Sequence, residues 1–113
     1  MDLQVSTSRR GSFAVLTVVG EVDLDTAGTL ANEVNTALGD GAAHLVIDLG
    51  GVTFFDSSGI KVLVSTRKRT EQSGQGLSLV AVPRVVMRVL TVTALDTVFA
   101  IHDSVDDVVK EEQ

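Results

Sequence analysis

One serine in this sequence stands where a phosphate group could be accepted. Ser57 follows Asp56 in the turn Asp56-Ser57-Ser58-Gly59, directly after an apolar run and before residues with helical spacing. The start of a helix offers unpaired backbone amides and the positive end of the helix dipole, and both favour an anion. A phosphate would add a charge of roughly −1.5 to −2, so it would alter a binding surface more than the fold. The alternative is that Asp56 or Ser57 serves only as a helix N-cap, a position that both residue types favour.

The other polar side chains that could do chemistry form weaker patterns. Glu21, Asp23 and Asp25 lie close together, but three carboxylates within five residues do not define a metal cage. We therefore interpret them as solvated loop acids. His44 and His102 adjoin apolar runs and belong to no group with metal-ligand spacing, so structural or surface roles are expected. The sequence predicts no metal site.

A nucleophilic role for Ser57 lacks its usual companions. Such a serine needs a base within hydrogen-bonding reach and an oxyanion hole. The Gly-x-Ser-x-Gly motif is absent around Ser57, and a phosphate-binding loop that ends in Gly-Lys-Ser/Thr is absent from the sequence. We therefore predict that the chain is not an enzyme, with no catalytic residue and no cofactor of its own.

Composition restricts the remaining functions. The 113 residues are 44% hydrophobic, which suits one domain spanning 1–113 with an aliphatic core. There is no cysteine, so disulfides and thiolate chemistry are excluded. The net charge of −6 is repelled by phosphate backbones, so nucleic acid is not an expected partner. No apolar run reaches the ~18 residues of a membrane span and no signal pattern is present, so we expect a cytoplasmic protein without membrane association.

The elements that must position Ser57 alternate along the chain. Strands are predicted at 3–5, 13–19, 44–49, 77–82 and 98–101, with helical spacing after Asp25, from Ile60, from Pro83 and after Ser104. Strands that alternate with helices imply right-handed crossovers and parallel pairing. The predicted fold is therefore a single α/β domain, with a mainly parallel central sheet, an antiparallel N-terminal strand pair and about four α-helices.

Two aspartates are predicted to lie at one edge of that sheet. Asp23 and Asp56 each follow a strand and precede a helix. Ligands and partners usually engage such sheets at the carboxyl ends of the strands. Asp25 is the expected N-cap of the first helix, because its carboxylate can accept hydrogen bonds from free amides. Phe54 and Phe55, which precede Asp56, are expected in the core.

Three groups of motifs, in register, resemble the STAS domains of bacterial anti-sigma factor antagonists. Residues 20–23 with 26–27 resemble the family's Gly-Glu-Leu-Asp segment. Residues 46–49 with 52–60 resemble its central strand and phosphorylation loop. Pro83, 89–90 and 94–96 resemble its later helix and the turn behind it. The order and spacing agree across essentially the whole chain. Lys61 and Ala94 depart from the pattern, which commonly has a small residue and a glycine there. Ala94 should matter little unless that position needs a positive φ angle.

The resemblance implies a partner-switching mechanism. The unphosphorylated antagonist binds an anti-sigma factor that is also a serine-protein kinase, and this binding frees a sigma factor. The kinase uses ATP to phosphorylate the serine directly after the Asp, here Ser57, and a metal-dependent serine phosphatase reverses the modification. ATP and magnesium then belong to the partner enzymes. The implied partner-binding residues are Asp23, Asp56, Ser58, Gly59 and Lys61.

Other interpretations stay open at this point. Ser58 is expected to serve the turn, with a second phosphoacceptor as the alternative, and Lys61 is expected to tune the choice of partner. A stressosome-like scaffold component, or an accessory subunit of another regulatory or transport complex, would use the same domain. A small serine hydrolase or a nucleotide-binding protein is the alternative from another class. The expected oligomeric state is a monomer or a weak dimer.

Overall fold

Strands and helices alternate in the computed structural model, which describes residues 2–112. The strands are β1 (Leu3–Arg10), β2 (Phe13–Val22), β3 (His44–Phe55), β4 (Gly76–Val80) and β5 (Ile101–His102). The α-helices are α1 (Ala27–Gly39), α2 (Ser57–Ser73), α3 (Arg84–Val92) and α4 (Val105–Glu112), with a short 3-10 turn at Leu95–Thr97. This order confirms the predicted alternation.

The strands form one sheet in chain order, β1-β2-β3-β4-β5. β1 and β2 pair in antiparallel fashion, and the other three pairings are parallel. The predicted mainly parallel sheet with an antiparallel N-terminal pair is therefore confirmed. When successive parallel strands are neighbours, right-handed crossovers place all the connecting helices on one face of the sheet.

The core lies on both faces of β3, as its nearly continuous apolar run predicts. Leu45, Ile47 and Leu49 pack in the main cluster together with buried residues of α1, α2 and α3. Val46 points to the other face, where Val108 of α4 covers it. The sheet is thus the middle layer between three helices and one short terminal helix.

β3 is longer than predicted, and this extension positions the functional edge. It continues through Gly50 and Gly51, where a Cβ on Gly51 would lie 2.8 Å from a methyl carbon of Val19. Pairing with β4 ends at Asp48, whereas pairing with β2 continues to Phe55. The turn that follows therefore stands roughly 20 Å beyond the end of the β4 pairing.

The prediction of a strand at 98–101 was wrong for most of its length. The Val98 and Phe99 amides donate to the Leu95 carbonyl, at 3.0 and 3.2 Å, so these residues continue a turn. The Phe99 side chain is buried in the main cluster. β5 begins only at Ile101. Phe99 therefore covers the core from a turn, whereas Val98 is 40% exposed.

Candidate functional site

The ends of β2 and β3 form the edge that carries the predicted site residues. Val22 pairs with Phe55, and the Asp56 amide donates to the Val22 carbonyl at 3.3 Å. Asp23 and Asp56 are therefore the first residues beyond two neighbouring strand ends, as predicted. Residues 23–26 and 56–61 are called the acceptor edge below.

Asp56 is the N-cap of α2. Its Oδ1 accepts a hydrogen bond from the Ser58 amide at 2.8 Å. Its backbone carbonyl accepts from the amides of Gly59 and Ile60, at 3.0 and 3.3 Å. The capping interpretation is thus correct for Asp56, and this cap uses most of the amides that a helix start offers.

Ser57 is the first residue of α2, and its side chain is exposed. Within residues 2–112 its hydroxyl has no hydrogen-bond partner. Ser58 is partly buried and donates its amide to the cap. Gly59 is buried, and the Phe55 ring lies 2.5 Å from where a Cβ on Gly59 would stand. Ser57 therefore has the more accessible of the two hydroxyls, while Gly59 lets the helix start sit on Phe55.

Asp23 organises the loop between β2 and α1 from a buried position. Its side chain is 8% exposed, and its Oδ1 accepts from the amides of Asp25 and Thr26, both at 3.0 Å. The Asp23 amide in turn donates to Thr26 Oγ1 at 2.9 Å, and that hydroxyl donates to the Glu21 carbonyl at 2.7 Å. Asp23, rather than Asp25, is thus the carboxylate that serves this helix start, so the prediction of Asp25 as N-cap was wrong.

Apolar side chains are exposed on and near the acceptor edge, and sequence reasoning missed them. Leu24 lies in the loop that Asp23 holds, and its side chain is 83% exposed. Val64 is 44% exposed and lies seven residues after Ser57, on the same side of α2. Phe54 is 39% exposed, so its expected core position was wrong, while Phe55 is buried as predicted. An apolar residue in a loop gives no sequence signal that distinguishes exposure from burial.

Lys61 lies one helical turn after Ser57 and is exposed. It borders a groove of about 180 Å³ between α1 and α2. The other lining residues are Ala31, Val34, Asn35, Val62, Ser65 and Thr66. The acceptor edge thus combines a free hydroxyl, an exposed cation and an exposed apolar loop.

The histidines lie away from Ser57. His44 opens β3, at the opposite end from the acceptor edge, and its Nε2 lies 2.8 Å from Ser78 Oγ. His102 Nδ1 lies 3.3 Å from a Glu111 carboxylate oxygen. Both histidines line a cavity of about 780 Å³ at the amino ends of the strands. A serine–histidine pair is therefore not assembled at Ser57.

Metal-binding clusters and membrane-spanning helices are both absent from residues 2–112. Among the described residues, no group of three or more His, Cys, Asp or Glu side chains is arranged to hold a metal ion. None of the helices in residues 2–112 combines the length and the apolar character needed to cross a membrane.

Comparison with known proteins places this geometry in a family. Residues 4–108 match the family model of the STAS domain. The anti-sigma-F factor antagonist RsfB of Mycobacterium tuberculosis is 32% identical over 105 residues, which cover 93% of this chain and 85% of the relative. The anti-sigma-B factor antagonist of Staphylococcus aureus is 24% identical over 106 residues, covering 94% of this chain and 98% of that protein.

A solved structure shows the same arrangement of elements. The crystal structure of an anti-sigma factor antagonist from Mycobacterium paratuberculosis has a TM-score of 0.89 to this chain at 28% identity, and the match covers 97% of this chain and 93% of that one. Together with the family match over almost the whole length, this establishes that the chain belongs to the STAS domain family.

Proposed function

We propose that this chain is an anti-sigma factor antagonist that works by partner switching. Its unphosphorylated form binds an anti-sigma factor that is also a serine-protein kinase, which releases a sigma factor. Phosphorylation of Ser57 by that kinase ends the binding. The observation that carries the proposal is the exposed Ser57 hydroxyl at the capped start of α2. The antagonist names of its relatives from Mycobacterium tuberculosis and Staphylococcus aureus support it.

The chain contributes an acceptor to this reaction rather than a catalyst. Ser57 Oγ forms a bond to the γ-phosphorus of ATP held by the kinase, the bond from that phosphorus to the bridging oxygen breaks, and ADP leaves. The hydroxyl proton passes to a base of the kinase. A metal-dependent serine phosphatase restores the hydroxyl by hydrolysis of the phosphate ester.

The acceptor edge explains why a phosphate would end binding. Leu24 in the neighbouring loop and Val64, two turns further along the Ser57 side of α2, offer exposed apolar surface. A close interface over these side chains would exclude water from Ser57, and removing a phosphate dianion from water costs free energy. Asp56 and the net charge of −6 add like charge, so a kinase surface that suits the hydroxyl would not suit the dianion.

Asp23 acts in this proposal through the loop that it holds. Its carboxylate is almost fully buried, so it positions Leu24 and Asp25 for the partner and offers little surface for a direct contact. Ser58 and Gly59 likewise position the first turn of α2. Lys61 is the exposed cation of the contact surface.

The experiment that tests the proposal is a binding titration with a purified candidate kinase of the anti-sigma type. The chain is incubated with the kinase and ATP, intact mass measures the phosphate gained, and peptide mapping locates it. Calorimetry then compares the unmodified and the phosphorylated chain. We expect one phosphate at Ser57 and binding by the unmodified form only. Equal affinity of both forms for the kinase would contradict the proposal.

A further inference from the structure

We infer that Lys61 is the intramolecular counter-ion of a phosphate on Ser57, so that phosphorylation withdraws this cation from the contact surface. The inference rests on the proposed modification of Ser57. Both side chains are exposed, and they lie four residues apart within α2. Side chains at this spacing lie on one face with their Cβ atoms about 5–6 Å apart, and an anion that precedes a lysine by four residues has the favourable order.

The cap leaves the phosphate few backbone donors. Asp56 accepts from the amides of Ser58, Gly59 and Ile60 through its carboxylate and its carbonyl. A phosphate at a helix start would ordinarily draw on these amides. Because these three amides are already used, a phosphate on Ser57 is left with the amide of its own residue and with nearby side chains.

Lys61 is available for this role. In the part of the chain that the structure describes, its ammonium makes no ion pair, whereas Arg67 on the same helix pairs with Glu71 at 3.0 Å. The α1 residues that line the adjoining groove are Ala31, Val34 and Asn35, so this described lining brings no carboxylate to Lys61. No groove-lining acid therefore competes with a phosphate.

The charged residues of the acceptor edge, apart from Lys61, are three aspartates. Asp56 and Asp23 have carboxylates that are held by backbone amides of their own turns. Asp25 is exposed in the neighbouring loop, and Lys68 lies nearly two turns beyond Lys61. Lys61 is thus the cation nearest in sequence to Ser57 along α2, while the nearest acids repel a phosphate.

The consequence is a switch with two parts. Without phosphate, Lys61 is free to meet an acidic group of the partner. With phosphate, the ammonium pairs along the helix, so the contact surface gains an anion and loses a cation in one step. A chain with a small residue at position 61 would gain the anion on phosphorylation but would lose no cation.

The test needs no kinase, because phosphoserine can be incorporated at position 57 during translation. The phosphate is titrated by ³¹P NMR at low ionic strength in the otherwise wild-type chain and in the variants K61Q, K61R and K68Q. An ammonium nearby favours the dianion, so we expect K61Q to raise the second pKa of the phosphate. K61R should restore the wild-type value, K68Q should leave it unchanged, and added salt should shrink the difference between wild type and K61Q.

The titration separates this inference from the proposed function. If the phosphate has the same second pKa in wild type and in K61Q, and circular dichroism shows that both proteins are folded, the counter-ion role is overturned whatever the kinase does. A raised value in K61Q with wild-type behaviour in K61R supports it. If kinases leave Ser57 unmodified while this difference is present, the proposed function fails and the ion pair stands.

Discussion

At the scale of single residues, the switch depends on what replaces the hydroxyl of Ser57. Ser57→Ala removes only an exposed hydroxyl, so binding to the kinase should persist and phosphorylation should cease. Ser57→Asp should weaken binding, though less than phosphate does, because a carboxylate is smaller and carries less charge. Both variants should unfold within about 0.5 kcal/mol of wild type, since Asp56 and not Ser57 is the cap.

Calorimetry with the kinase and urea unfolding together check this prediction. The unfolding curves serve as the control, because they show whether lost affinity reflects a damaged fold. If wild type, Ser57→Ala and Ser57→Asp bind with the same affinity, charge at position 57 does not control the interaction.

A second residue-scale prediction concerns Ala94, where the resemblance to STAS domains favours glycine. Its φ angle is +61°, in the left-handed region that side chains with a Cβ avoid. Ala94→Gly should therefore stabilise the chain, by roughly 1 kcal/mol. Ala100→Gly is the matched control, because Ala100 is also exposed but does not have a positive φ angle. Thermal unfolding in which both substitutions destabilise would contradict a strained Ala94.

At the scale of elements, the loop between β2 and α1 depends on Asp23. Asp23→Ala would leave the amides of Asp25 and Thr26 without their shared acceptor. We expect a loss of about 1–3 kcal/mol in the free energy of unfolding, together with weaker kinase binding because Leu24 is no longer held. Asp25→Ala is the matched control, since the Asp25 carboxylate is exposed.

Asp23→Ala and Asp25→Ala are compared by two measurements on the same samples. Urea unfolding reports the loop, and the rate of phosphorylation reports the contact surface. Asp23 would be irrelevant to both if its variant matched Asp25→Ala in stability and in rate.

The sequence predicts the element order well because hydrophobic periodicity changes sharply at each boundary. It fails where two residues offer the same chemistry, as with Asp23 and Asp25, because only the three-dimensional path of the loop decides which carboxylate meets the amides. It also fails where apolar residues lie in a turn or at the exposed end of a strand. Val98 and Phe99 look like strand, and Phe54 looks like core, yet a turn and an exposed strand end accommodate them.

At the scale of the whole molecule, α4 and the acceptor edge lie at different places on the sheet. The acceptor edge lies at the carboxyl ends of β2 and β3. α4 covers the opposite face of the sheet, where Val108 packs against Val15, Val46 and Val80. No described contact of Val108 in this cluster involves the acceptor edge. Substitutions under α4 should therefore change stability without changing binding.

The last prediction tests that separation with two valines. Val108→Ala removes buried methyl groups, so it should lower the free energy of unfolding by about 1–3 kcal/mol while kinase affinity stays at the wild-type value. Val64→Ala changes an exposed position on the Ser57 side of α2, so it should weaken binding with little effect on stability. Urea unfolding and calorimetry on both variants give a pair of opposite responses if the two parts are independent. A loss of affinity in folded Val108→Ala would instead show that α4 and the acceptor edge are coupled through the sheet.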